Sequence, residues 1–114
     1  MTYSYYSKLF KGEKMPFAYL DRDLLDQNVK DILARSGNKK IRVASKSVRC
    51  KWVLQYILEQ SEQLQGIMCY TAEEAAWLAD EGFDDLLVAY PTFHAEQVKA
   101  IIPALKSGKT IYLM

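Results

Sequence analysis

The sequence predicts an α/β fold built from parallel βα units, and three observations carry that expectation. Short apolar runs at 41–45, 66–70, 86–90 and 110–114 alternate with longer stretches of helical periodicity. Strands that alternate with helical patterns imply βαβ crossovers and a parallel sheet. The run Leu86-Leu87-Val88-Ala89 is apolar at every position, the pattern of a strand buried on both faces. Two architectures fit: an open doubly wound sheet, or about half of a (β/α)8 TIM-type barrel with four central strands. A complete barrel takes about 250 residues, so a chain of 114 residues accommodates about half of one.

Each element has its own local signal. Residues 1–15 carry Tyr3, Tyr5 and Tyr6 among small and charged residues and read as an N-terminal leader. Residues 16–114 then form the α/β domain, which is a partial barrel in the second of the two architectures. Pro16 to Leu20 is a short extended run. Asp21 or Asp23 can cap the helix that follows, in which Leu25, Asn28, Val29 and Ile32 share a stripe. Ser36-Gly37-Asn38 ends it. Ile41 to Ser45 is the first central strand. Behind Lys46, the positions Cys50, Val53, Leu54, Ile57 and Leu58 repeat at helical spacing.

Gly66 to Tyr70 is the second strand. Thr71 and Glu74 form a capping box, followed by Ala72, Ala75, Ala76, Ala79 and Phe83 on one face. Gly82 marks the stop, Leu86 to Tyr90 is the third strand, and Pro91 ends it. Val98, Ile101, Ile102 and Leu105 give a last helical stripe, and Gly108 lies past its end. Thr110 to Met114 is the fourth strand.

Composition narrows the function classes. Half the residues are apolar and a quarter charged, which is globular usage. Fifteen basic residues against fourteen acidic ones give a net charge of +1, so charge offers no support for nucleic acid or an anionic membrane as partner. Cys50 and Cys69 lie in different elements, and His94 is the single histidine, so neither a disulfide framework nor a metal site is expected. No apolar stretch reaches the length of a membrane span. A cytoplasmic location is the default expectation.

Lys46 is the candidate for chemistry. It closes the run Ile41-Arg42-Val43-Ala44-Ser45, at the C-terminal tip of a parallel strand, where α/β proteins place their active groups. Lysine there suits a Schiff base with a carbonyl compound or pyridoxal phosphate, and a crowded, partly desolvated position favours the neutral amine that attacks. The plain alternative is a strand-end lysine with its ammonium in water. Side chains alternate along a strand, so Arg42, Ala44 and Lys46 share one face. A guanidinium at Arg42 below Lys46 disfavours ammonium there, and Ala44 leaves room for a ring.

Other residues have ordinary readings. No GxGxxG or Walker loop is present, and Ser45 and Ser47 lack the glycines of a nucleophile elbow. His94 stands at a helix start without a visible partner. Asp84-Asp85 reads as a cap or solvated turn before the third strand. Trp52 and Trp77 sit beside apolar stripes and cover surface.

Three segments in order resemble the fold-type III pyridoxal-phosphate enzymes, the alanine racemase-like barrel, and within it the D-threonine aldolase and D-serine dehydratase branch. Pro16-Phe17-Ala18-Tyr19-Leu20-Asp21 with Leu25 and Asn28 is similar to the family's first strand and helix. Arg42-Val43-Ala44-Ser45-Lys46-Ser47-Val48-Arg49 resembles its Arg-Pro-His-x-Lys-x-His-Lys, with Ala44 and Val48 in place of the histidines. Gly66 to Ala75, running on through Gly82, Asp85 and Ala89 to Pro91, resembles its second strand, Glu-Ala helix start and Gly-x-x-Asp-Leu-Leu-x-Ala third strand.

The resemblance covers about two-thirds of the chain. It implies pyridoxal 5'-phosphate as cofactor, an internal aldimine at Lys46, Arg42 against the cofactor, and a small-molecule amino acid as substrate. Racemisation, retro-aldol cleavage and elimination share the first covalent step, so the reaction stays open. The expectation is therefore the N-terminal part of an amino-acid lyase or racemase, inactive as 114 residues alone and homo-oligomeric. Its rivals are a non-catalytic pyridoxal-phosphate carrier and a small open-sheet α/β binding module without cofactor.

Overall fold

The computed structural model describes residues 2–114. The element order is α1 (Tyr3–Leu9), α2 (Arg22–Ser36), β1 (Ile41–Ala44), α3 (Ser45–Val48), α4 (Lys51–Leu58), β2 (Leu64–Cys69), α5 (Ala72–Asp80), β3 (Leu86–Val88), α6 (Ala95–Ala100), α7 (Ile102–Lys106) and β4 (Ile111–Leu113). The four strands form one sheet in the order β1-β2-β3-β4, and every pair is parallel. A doubly wound sheet reverses its strand order at a switch point, whereas a barrel adds strands in sequence. The sequential order is that of half a βα barrel.

Register and alternation divide the sheet into two faces. Val43, Ile67, Leu86 and Ile111 stand in one row, and Ala44, Met68, Leu87 and Tyr112 in the next. Adjacent rows point to opposite faces. The Val43 row meets Leu54 of α4, Ala75, Leu78 and Ala79 of α5, and Ala104 of α7 in the main core. A second cluster joins Val29 of α2 to Ile57 and Leu64 beside β1. The Ala44 row points away from these helices, with Tyr112 about half exposed.

Helix ends follow the expected chemistry in part. The Asp21 carboxylate accepts from Leu24 N at 3.1 Å and caps α2. Thr71 Oγ1 accepts from Glu74 N at 3.1 Å and caps α5. Burial departs from the sequence stripes in three places. Ile32 and Asn28 are exposed, and Leu33 packs beside Val29 instead of Ile32. Leu78, outside the expected α5 stripe, is buried. The last helical stretch breaks at Ile101 into α6 and α7, with Pro103 in the first turn of α7. Proline brings no N–H and clashes with the turn before it. The break leaves Ile101 and Ala104 buried, while Ile102 and Leu105 face solvent.

The N-terminal segment carries a helix and an aromatic group of its own. The α1 helix and the stretch after it bring Tyr6, Phe10, Phe17 and Tyr19 into one aromatic group, with Phe10 and Tyr19 centroids 4.6 Å apart. Tyr6 Oη donates to Asp21 Oδ2 at 2.8 Å, which pushes the phenol up to about 12. The run 16–20 joins this group and forms no strand of the sheet. No helix among the described residues is long and apolar enough to cross a membrane.

Candidate functional site

The first strand ends one residue earlier than its apolar run suggests. Ser45 begins the single-turn helix α3, which Arg49 closes in the left-handed region at φ 43°. Ser45 turns inward because its hydroxyl has partners there: Glu74 Oε2 at 2.9 Å and the Met68 carbonyl at 3.2 Å. Lys46 is therefore the second residue of a short helix rather than the tip of the strand, and it is exposed.

Three consecutive strand ends converge on Lys46. Its Nζ donates to Tyr90 Oη at 2.7 Å and lies 5.3 Å from the Tyr90 ring centroid. Tyr90 follows β3, and Tyr70 follows β2; their rings meet edge-on, 5.0 Å apart at 75°. The hydrogen bond to Tyr90 raises the Lys46 pKa above the usual lysine value, and electrostatic attraction to the Tyr90 oxygen adds to it. The Arg49 charge acts the other way. The expectation of a crowded amine held neutral is corrected: solvent access and Tyr90 both favour the ammonium.

Beside this pair lies a cleft of about 180 Å³, lined by Tyr70, Thr71, Val88, Tyr90, Thr92 and Gln97 among others. Its wall holds hydroxyl and amide groups and no charged side chain. Thr92 Oγ1 donates to Gln97 Oε1 at 2.5 Å, which spans the far wall. The N-terminus of α5 borders the cleft, and Thr71 and Glu74 already satisfy amides there.

Arg42 is not brought to this site. Its Nη2 meets Asp85 Oδ1 at 2.5 Å, and its Nη1 donates to the Asp85 carbonyl oxygen. The guanidinium also lies 5.5 Å from the Tyr112 ring centroid. Asp85 precedes β3, so this pair occupies the N-terminal end of the sheet, opposite to Lys46. Arg42 thus forms an ion pair between β1 and the turn before β3. Asp84 does behave as a cap: its Oδ1 accepts from Thr110 N and from Asp85 N, both at 2.7 Å.

Sequence reasoning named Lys46 but missed Tyr90, Tyr70 and the role of Ser45. One signal was present: tyrosine is the last residue of both the second and the third apolar run, at the end of the sheet where Lys46 lies. Neither cysteine enters the site. Cys69 is buried in the core with its thiol pushed up to about 12, and Cys50 is exposed before α4. Among the described residues no cluster of histidine, cysteine, aspartate and glutamate could hold a metal ion. His94 occupies the N-cap position of α6 without a side-chain capping bond. No protein-family model matches the chain, and no curated protein matches it.

Proposed function

We propose that the chain is the N-terminal part of a pyridoxal-phosphate-dependent enzyme acting on an amino acid, with Lys46 as the point of attachment. One observation carries this reading. Lys46 Nζ stands at the C-terminal end of a parallel sheet and donates at 2.7 Å to Tyr90, which lines a cleft of about 180 Å³.

The residues fit part of the cofactor. Lys46 offers an accessible amine, and the Tyr70 and Tyr90 rings offer flat walls for a heteroaromatic ring. Thr71, Thr92 and Gln97 offer groups for its polar substituents. A phosphate finds no basic side chain in the cleft, so the lining residues do not fit that part of the group. When bound, the cofactor supplies an electron sink for bonds at the substrate Cα. The chain's own share is to hold and release a proton at Lys46 Nζ. Tyr90 would hold that proton on the amine, and water at the exposed Nζ would take it up when Lys46 served as the attachment point.

The absence of a charged group in the cleft wall favours a second reading, a non-catalytic pyridoxal-phosphate carrier. Such a protein attaches the cofactor and does not select a substrate carboxylate.

Incubation of the protein with pyridoxal phosphate, followed by borohydride, tests both. The cofactor mass is expected on the peptide containing Lys46, absent in Lys46→Ala and retained in Lys51→Ala. A label on another lysine, or none, overturns attachment at Lys46. Attachment without turnover of any D- or L-amino acid by the full-length protein leaves the carrier and removes the enzyme.

A further inference from the structure

We infer that Glu74 is the positioning residue of this site: one of its carboxylate oxygens sets the direction in which Lys46 leaves the fold and the stance of Tyr90 that receives it. The inference rests on Lys46 being the reactive group of the function proposed above.

Glu74 Oε2 accepts two hydrogen bonds, from Ser45 Oγ at 2.9 Å and from the Tyr70 backbone N at 2.6 Å. Ser45 is 1 % exposed and is the one buried polar residue of the described chain. Its single O–H proton has two acceptors within reach, Glu74 and the Met68 carbonyl, and the carboxylate is the stronger. The residue that Glu74 anchors is thus the one joined directly to Lys46. The other residue it anchors, Tyr70, packs its ring against Tyr90 at 5.0 Å. Both members of the Lys46···Tyr90 pair therefore have a neighbour tied to the same oxygen atom.

A capping role alone does not explain this geometry. In a capping box the glutamate side chain returns to the N–H of the N-cap residue itself. Here the N-cap is Thr71, yet Glu74 reaches past it to Tyr70 N and across to Ser45 on a different βα unit. The second bond spans 29 residues of sequence. The carboxylate joins the end of β2 to the start of α3, which fixes the two strand ends flanking the site. A short helix of four residues has little internal support of its own, so its orientation depends on such a tie.

The test reads Lys46 directly and needs no cofactor. Acetylation of Lys46 by acetic anhydride is followed across pH by peptide mass spectrometry, with Lys30 as internal reference. The charged and titrating groups acting on Lys46 are Tyr90, Tyr70 and Arg49. In Glu74→Ala the Lys46···Tyr90 bond loosens, so the reactivity midpoint falls and labelling at a fixed pH below it rises severalfold. In Glu74→Gln the amide oxygen accepts both bonds, and the profile stays near the parent. In Ser45→Ala one tie is lost and the shift has the same direction, which keeps the test available if Glu74→Ala does not fold. A lower melting temperature with an unchanged Lys46 profile would reduce Glu74 to a helix cap and overturn the inference. A Glu74→Gln profile matching Glu74→Ala would overturn it too, since charge rather than placement would then govern. If the Lys46 profile responds as expected while pyridoxal phosphate never attaches, the positioning role stands and the cofactor reading alone falls.

Discussion

Arg42 and Asp85 are joined twice at the N-terminal end of the sheet, through the Asp85 carboxylate and through its backbone carbonyl. They belong to β1 and to the turn before β3, so the contact must pass over β2. It does so at Gly66. The register places Ile41 opposite Leu64 but Val43 opposite Ile67, so β2 carries one extra residue there, and Gly66 adopts φ +70°. A Cβ at this position would stand 2.6 Å from the Arg42 guanidinium and closer still to the Asp85 carbonyl.

Gly66→Ala is therefore expected to destabilise the fold by about 3 kcal/mol, since the left-handed backbone and the blocked crossing act together. Urea denaturation measures this as a lower midpoint. A loss within experimental error of zero would mean that the strand relaxes around the methyl group.

Arg42→Leu removes both bonds to Asp85, which is itself partly exposed. The expected cost is about 1–2 kcal/mol, below that of a fully buried pair because solvent screens it. Lys46 should titrate as in the parent. A displaced Lys46 titration would return Arg42 to the site at the other end of the sheet.

Tyr90→Phe keeps the ring and deletes the hydroxyl that accepts from Lys46. The folded protein holds Lys46 protonated to higher pH than a free lysine, so the variant should deprotonate at lower pH. The stability linked to this bond is present below the ordinary lysine value and fades as pH rises through the folded value. Side-chain NMR of Lys46 across pH gives the midpoint, and equal midpoints in parent and variant would refute the effect of Tyr90.

Asp84 titrates in the opposite sense. Hydrogen bonds from Thr110 N and Asp85 N hold its carboxyl below the ordinary 3.8, with burial opposing. Its contribution is complete above that ordinary value and disappears as pH falls through the lower folded value. Asp84→Asn should therefore flatten the acid limb of a stability–pH curve while leaving the fold at neutral pH. An unchanged acid limb would show that other carboxylates govern acid unfolding.

The alternation of strand and helix was legible because each element carries its own period, cap or stop. Asp21, Thr71 and Gly82 mark ends by local chemistry that acts within four residues. Burial was less legible. Ile32, Ile102 and Leu105 fit helical stripes and are exposed, while Leu33, Leu78 and Ala104 pack inward. A stripe gives a face only to within one neighbouring position, and docking against the sheet chooses the angle.

By itself, the sequence determined the α/β class, the order of the four strands with a helical stretch between each pair, and the placement of Lys46 behind the first strand. Those features depend on residues near one another in the chain. Only the tertiary structure decided that Arg42 belongs to Asp85, that Ser45 turns inward to Glu74, and that Tyr90 meets Lys46. These pairs span 43, 29 and 44 residues. Sheet register and crossover packing bring them together, and a composition of Arg, Ser, Lys, Tyr and carboxylates is compatible with many other pairings. The parallel order of β1 to β4 selects one, because it sets which strand ends are neighbours and which side chains lie within hydrogen-bond reach.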